Sequence, residues 1–132
     1  MITKEEILMN RIKYEDLTPE MKSNLDRLVV ALNVVRTAYG KPMTVSSGYR
    51  SPEQNAALAN SAKRSLHMEL KACDFKDADG KLDQWCLEHQ DLLESAGLWQ
   101  ENPANTGTWC HLDISTSRDT KKKREYKRVF NP

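Results

Sequence analysis

The sequence predicts an α+β domain in which helices pack on one face of a small antiparallel sheet. Three observations carry that prediction. Apolar residues recur at helical spacing through the first third, short β-branched or alternating runs follow, and one helical run is interposed among them. A chain of 132 residues can bury one core, and it contains no internal repeat and no low-complexity linker. The reading is a single domain over 1–117 followed by a short extension over 118–132.

Thr3 followed by Glu6 has the spacing of a capping box and opens a short first helix. Thr18 before Pro19 is an N-cap with proline at the first helical position, and Gly40 ends the run. Between them Met21, Leu25, Leu28, Val29, Leu32, Val35 and Tyr39 form the expected buried stripe of the longest helix. PMTVSSGYR reads as a strand running into a loop, and SPEQNAALAN as a short helix capped by Ser51. NSAKRS is a loop. KACDFKD alternates as a strand and ends at Asp79-Gly80, a turn leading into a hairpin or a helix. LDQWCLEHQDLLES is one helix ended by Gly97, and LWQE and WCHLDIS are two strands joined by the turn-forming ENPANTGT.

Composition narrows the classes. With 39% hydrophobic and 30% charged residues the chain has the make-up of an ordinary globule. No apolar run approaches the roughly 20 residues of a membrane helix. The amino end is acidic and amphipathic, without the pattern of a secretory signal, so cytoplasmic synthesis is expected. Three cysteines, Cys73, Cys86 and Cys110, lack CxxC spacing and read as free thiols; Cys73 and Cys110 fall on the core side of strands that could be neighbours. Between Arg118 and Arg128 seven basic residues face only Asp119 and Glu125, which leaves 1–117 net acidic. A solvated basic segment explains this without a nucleic-acid partner, and a monomer is expected.

Of the three histidines, His89 lies in a helix beside Glu88, Gln90 and Asp91 and reads as exposed. His67 precedes a strand, and His111 lies within another. Alternation puts Trp109, His111 and Asp113 on one face of WCHLDIS, and Cys110, Leu112 and Ile114 on the apolar one. In KACDFKD the same rule turns Asp74 away from Cys73 and Phe75. Two imidazoles and a carboxylate on a shared polar face are either a three-ligand metal set of the catalytic kind or hydrogen-bonded groups of the ordinary kind. Cys73 and Cys110 compete as ligands but face the opposite side.

The ordered runs SSGYRSPEQNAALA, SLHMELKACDF, LWQEN and WCHLDI resemble the zinc peptidase family of D-alanyl-D-alanine carboxypeptidases and L-alanyl-D-glutamate endopeptidases. That family includes phage endolysins and is related to the hedgehog signalling domain. Its pattern is SGYRS, then SxHxxGxAxD, then WxH, and the likeness runs from about Val45 to Ile114. The resemblance implies a hedgehog/DD-peptidase-like fold, a Zn2+ ion held by His67, Asp74 and His111, and Arg50 beside the metal as the substrate-binding fork. It implies a peptidoglycan stem peptide as substrate, met at the cell wall after lysis or from a virion.

Two departures stand out. The family's glycine three residues after the first histidine is Leu70 here, so its turn is expected to be made differently. The family's acidic general base three residues before the second histidine is replaced by Thr108. Glu101 and Glu69 are the candidate catalytic acids that remain nearby, with Asp113 a supporting group behind the ligands. The alternative reading is a zinc-binding structural or binding module with little or no turnover.

Overall fold

The computed structural model describes residues 1–58 and 65–132. Thr3 and Glu6 close a reciprocal capping box on α1 (Lys4–Leu8), and Thr18 caps α2 (Pro19–Tyr39), which ends at Gly40 with φ +73°. These bounds follow from local chemistry, because each side-chain oxygen takes a backbone N–H that the first helical turn leaves unpaired. The apolar stripe of α2 is fully buried at Leu25, Leu28, Leu32 and Val35, and partly at Met21, Val29 and Tyr39.

β1 (Val45–Ser47) leads through the SGYR loop to α3 (Pro52–Ala56), whose capping box joins Ser51 and Gln54. Most of the loop read over NSAKRS, residues 60–64, lies outside the described residues. A 3-10 turn, Leu66–Glu69, delivers His67 and runs into β2 (Ala72–Lys76). The Asp79-Gly80 turn is of the strand-to-helix kind. The helix that follows is capped from further back, by Asp77, whose carboxylate accepts from Leu82 N and Asp83 N at 2.9 Å each.

The helix expected as one piece over LDQWCLEHQDLLES is two, α4 (Lys81–Leu87) and α5 (Gln90–Ala96). The break is at His89, where φ −129° and ψ 42° leave the helical region. Its ring nitrogen Nδ1 bonds Trp85 O at 2.6 Å and its exposed ring stacks on Trp85, so a local side-chain contact substitutes for helix continuity. β3 (Trp99–Glu101) and β4 (Trp109–Asp113) are joined by more than a turn, since Asn102 and Pro103 start a four-residue helix, α6 (Pro103–Thr106).

Among the described residues five strands form one open sheet in the order β1-β2-β4-β3-β5, antiparallel except for the last pair. β5 (Val129–Phe130) comes from the basic C-terminal segment and pairs with β3. Cys73, Phe75, Cys110 and Leu112 point to one side of the sheet and join one core with residues of α1, α2, α4 and α5. β2 and β4 are neighbours, but their register pairs Cys110 with Phe75 and Cys73 with Leu112; the nearby Cys86 thiol of α4 and burial instead push the Cys110 thiol's pKa well up. The opposite side of the sheet carries the polar residues. Among the described residues no helix is long and apolar enough to cross a membrane.

Candidate metal centre

Antiparallel pairing puts opposed residues on the same face, so register decides what meets what. Ser47 of β1 pairs with Asp74 of β2, and Asp74 pairs with His111 of β4. The β3–β4 register, Trp99 with Asp113 and Gln100 with Leu112, brings Glu101 level with His111 one step on, and Glu101 pairs with Phe130 of β5. A row of Ser47, Asp74, His111, Glu101 and Phe130 therefore crosses the whole sheet on its polar side. His67 reaches the same place from the 3-10 turn before β2.

The ligand atoms of His67, Asp74 and His111 all lie within 4.8 Å of one another, and all three residues are buried. His67 Nε2 is 3.4 Å from Asp74 Oδ2, and His111 Nδ1 is 2.8 Å from Asp74 Oδ1. The far nitrogen of each ring is held from behind. His67 Nδ1 donates to Gly48 O at 2.9 Å; a carbonyl can only accept, so the hydrogen is on Nδ1 and the Nε2 lone pair points at the centre. His111 Nε2 faces Asp113 Oδ2 at 2.8 Å. This is how metal-binding histidines are oriented, one nitrogen inward and the other fixed by a carbonyl or carboxylate.

Gly48 is dictated by space. A Cβ there would sit 2.1 Å from Ile7 O, so only glycine lets the SGYR loop pass α1 and present its carbonyl to His67. The Leu70 turn departs from expectation: it keeps the left-handed conformation a glycine would use, at φ 60° and ψ 37°. The strain is offset by the side chain, which is wholly buried in the core. A left-handed residue other than glycine costs about 1–2 kcal/mol, and burying a leucine returns about as much or more.

Arg50 lies at the margin of the centre. Its Nη2 is 3.6 Å from Asp74 Oδ2, Nε donates to Ser47 Oγ at 3.2 Å and Nη1 to Asn55 Oδ1 at 3.4 Å. Asp113 has no exposed side-chain surface; besides His111 it accepts from Ser115 N and from both terminal nitrogens of Arg118. Arg118 thus anchors the carboxylate behind a candidate ligand. It was not singled out in the sequence, where it is one basic residue among seven. Phe130, whose ring packs edge-on against His111 at 5.7 Å between centroids, gives no sequence signal at all.

The two candidate acids differ in placement. Glu69 is exposed, and it is its backbone carbonyl that Asn24 binds. Glu101 is half-buried beside His111. Burial raises its carboxyl above the ordinary value against the pull of His111, and the charges of Asp74 and Asp113 push it the same way. Thr108 is exposed, one residue before β4, with its carbonyl bonded by Asp77 N.

Electrostatically the centre is a carboxylate-imidazole chain. Burial alone would lift Asp74, yet hydrogen bonds and charge from His111 and His67 hold it well below the usual carboxylate range. Burial alone would depress His111, but Asp113 and Asp74 on its two sides outweigh that and raise it to about 9. Without a metal the ring is therefore an imidazolium at neutral pH. Two nitrogens and a carboxylate oxygen are donors suited to a divalent ion of intermediate softness such as zinc, and they leave a coordination position open. The donor set fits.

The profile of the family described as Peptidase M15 matches residues 2–113. No curated protein and no solved structure matches the chain significantly.

Proposed function

Because the chain belongs to the peptidase M15 family, we propose that it is a zinc-dependent peptidase hydrolysing an amide bond in the stem peptides of bacterial peptidoglycan. The observation that carries this reading is the convergence of His67, Asp74 and His111 within 4.8 Å, each histidine backed by an acceptor on its other nitrogen. His67 through Nε2, His111 through Nδ1 and Asp74 through its carboxylate would hold the ion. Zinc in such a site supplies a water acidified to about pKa 7 and polarises the scissile carbonyl.

The chain's own residues supply the rest. Glu101 is the better placed general base, because it stands beside His111 on the same face and a raised pKa suits a group that takes a proton and returns it. Glu69, exposed on the turn, has no such setting. Arg50, braced by Ser47 and Asn55, turns a planar fork toward the centre and would grip a substrate carboxylate or carbonyl. Asp113 and Arg118 hold the His111 ring still. A wall substrate puts the place of action at the cell wall, reached on lysis or from a virion.

The test is metal content of purified protein combined with digestion of whole peptidoglycan and mass analysis of the products. We expect close to one zinc per chain and new termini at one type of stem-peptide bond. Zinc bound without any cleavage, across a broad pH range, would leave the protein a metal-binding module instead.

A further inference from the structure

We propose that the C-terminal segment beyond the family match forms a subsite that binds a carboxylate of the substrate peptide. The profile ends at Asp113, yet residues 118–132 fold back onto the sheet. β5 hydrogen-bonds β3 through Gln100 N to Arg128 O and Asn102 N to Phe130 O, both at 2.8 Å, and Arg128 Nε binds Leu98 O. Trp99 is almost wholly buried beneath Arg118, Arg124 and Arg128. The segment is thus part of the structure, with a defined shape.

Between this segment and the sheet lies a cavity of about 620 Å³, the size of a small-molecule or peptide side-chain site rather than a duplex groove. Phe130 belongs both to this cavity and to the metal centre, since its ring meets His111 on one side and the Arg118 guanidinium, 3.5 Å above it, on the other. The cavity and the candidate ligands thus share Phe130 as a common wall, which places the cavity next to the metal centre.

The cavity's charge selects the ligand. Four cations line it against two carboxylates, Asp119 and Glu125. Two of the cations have internal work: Arg118 holds Asp113, and Arg124 donates to the carbonyls of Asp119 and Lys122. Asp119 is itself turned onto Lys121 N. Lys122 and Lys123 are exposed at the cavity, and among the described residues no side-chain hydrogen bond or ion pair occupies them. Two available ammonium groups in a cavity also lined by Tyr126, Val129 and Phe130 suit a carboxylate carried on a short apolar stem, which is the chemistry of a glutamate-type residue in a peptide. The inference rests on the peptidase reading for its choice of ligand, and on geometry for its location.

Binding can be read separately from turnover. Zinc-loaded full-length protein carrying Glu101→Gln is titrated with a stem-type peptide containing D-glutamate and with the same peptide containing D-glutamine, following amide NMR shifts. We expect the acidic peptide to bind about 5-fold more tightly, with shifts at Tyr126, Phe130 and Asn131, and the preference to shrink in about 0.5 M salt. Lys122→Gln/Lys123→Gln should bring the ratio of the two affinities close to one. Equal affinities in the unsubstituted segment, absent shifts at those three residues, or tighter lysine-dependent binding of duplex DNA would overturn the subsite. Failure of the peptidase reading would show elsewhere, as uncut peptidoglycan.

Discussion

Asp113 Oδ2 lies 2.8 Å from Nε2 of His111, and that contact turns the ring's other nitrogen toward Asp74. The carboxylate is wholly buried and is in turn gripped by Arg118, so the position of a candidate ligand is set by a residue five places beyond the strand end. Asp113→Asn keeps the shape but weakens the hold on the ring and leaves Arg118 without its counter-charge. Zinc affinity, measured by competition with a chelator, should fall roughly 10–100-fold. An unchanged affinity would mean that His111 is oriented by packing alone.

The His111 ring makes metal binding pH-dependent. Its raised pKa of about 9 in the metal-free protein means that a proton must leave when zinc binds near neutrality. Affinity should climb as pH rises toward 9, with about one proton released per zinc in calorimetry in buffers of differing ionisation heat. The sign for stability is opposite. A group raised on folding stabilises below its ordinary value and loses that contribution as pH rises through about 9, so metal-free protein should melt at lower temperature from pH 7 to 9. Zinc should cancel that decline.

Glu101→Gln removes the proposed base and should cut peptide hydrolysis by a factor on the order of 10²–10⁴ while zinc content stays near one. Glu69→Gln should leave the rate close to wild type. A rate carried by Glu69 in steady-state assays would reverse the assignment. If neither substitution changes the rate, a gain from Thr108→Asp would point to a missing base.

Arg50→Lys keeps the charge and loses the fork that spans Ser47, Asn55 and the margin of Asp74. Turnover of stem peptides should drop at least 10-fold with little change in melting temperature, because lysine keeps the positive charge near Asp74 and position 50 lies outside the apolar core. Loss of stability with kinetics intact would make it a structural arginine.

Leu70→Gly separates backbone strain from burial. It relieves the left-handed conformation, worth about 1–2 kcal/mol, and empties a core position whose loss costs about 2–5 kcal/mol. Chemical denaturation should show a net loss of about 1–3 kcal/mol. A stabilised variant would show that the strain exceeds the packing.

Much of this protein is written locally. The bounds of α2 follow from Thr18, Pro19 and Gly40, and the faces of β2 and β4 from alternation, because caps and pleats depend on residues within a turn or two of each other. Alternation also turned Asp74 and His111 to one side, whereas the full candidate set with His67 came from the resemblance of the ordered runs and not from a local rule. Even the Leu70 position was visible as a departure, though not its outcome: only the core shows that burial holds leucine in a glycine's conformation.

What tertiary structure alone decided is pairing. No local rule brings β5 from the basic segment beside β3, sets Arg118 on Asp113, or lays Phe130 against His111. The placement of Glu101, and not Glu69, beside His111 is of this kind as well, because it follows from the register across β3 and β4. Sequence determines what each residue offers along its own element. Which offers meet depends on strand order and register, which are set by the burial of the whole core and are written in no single stretch of chain.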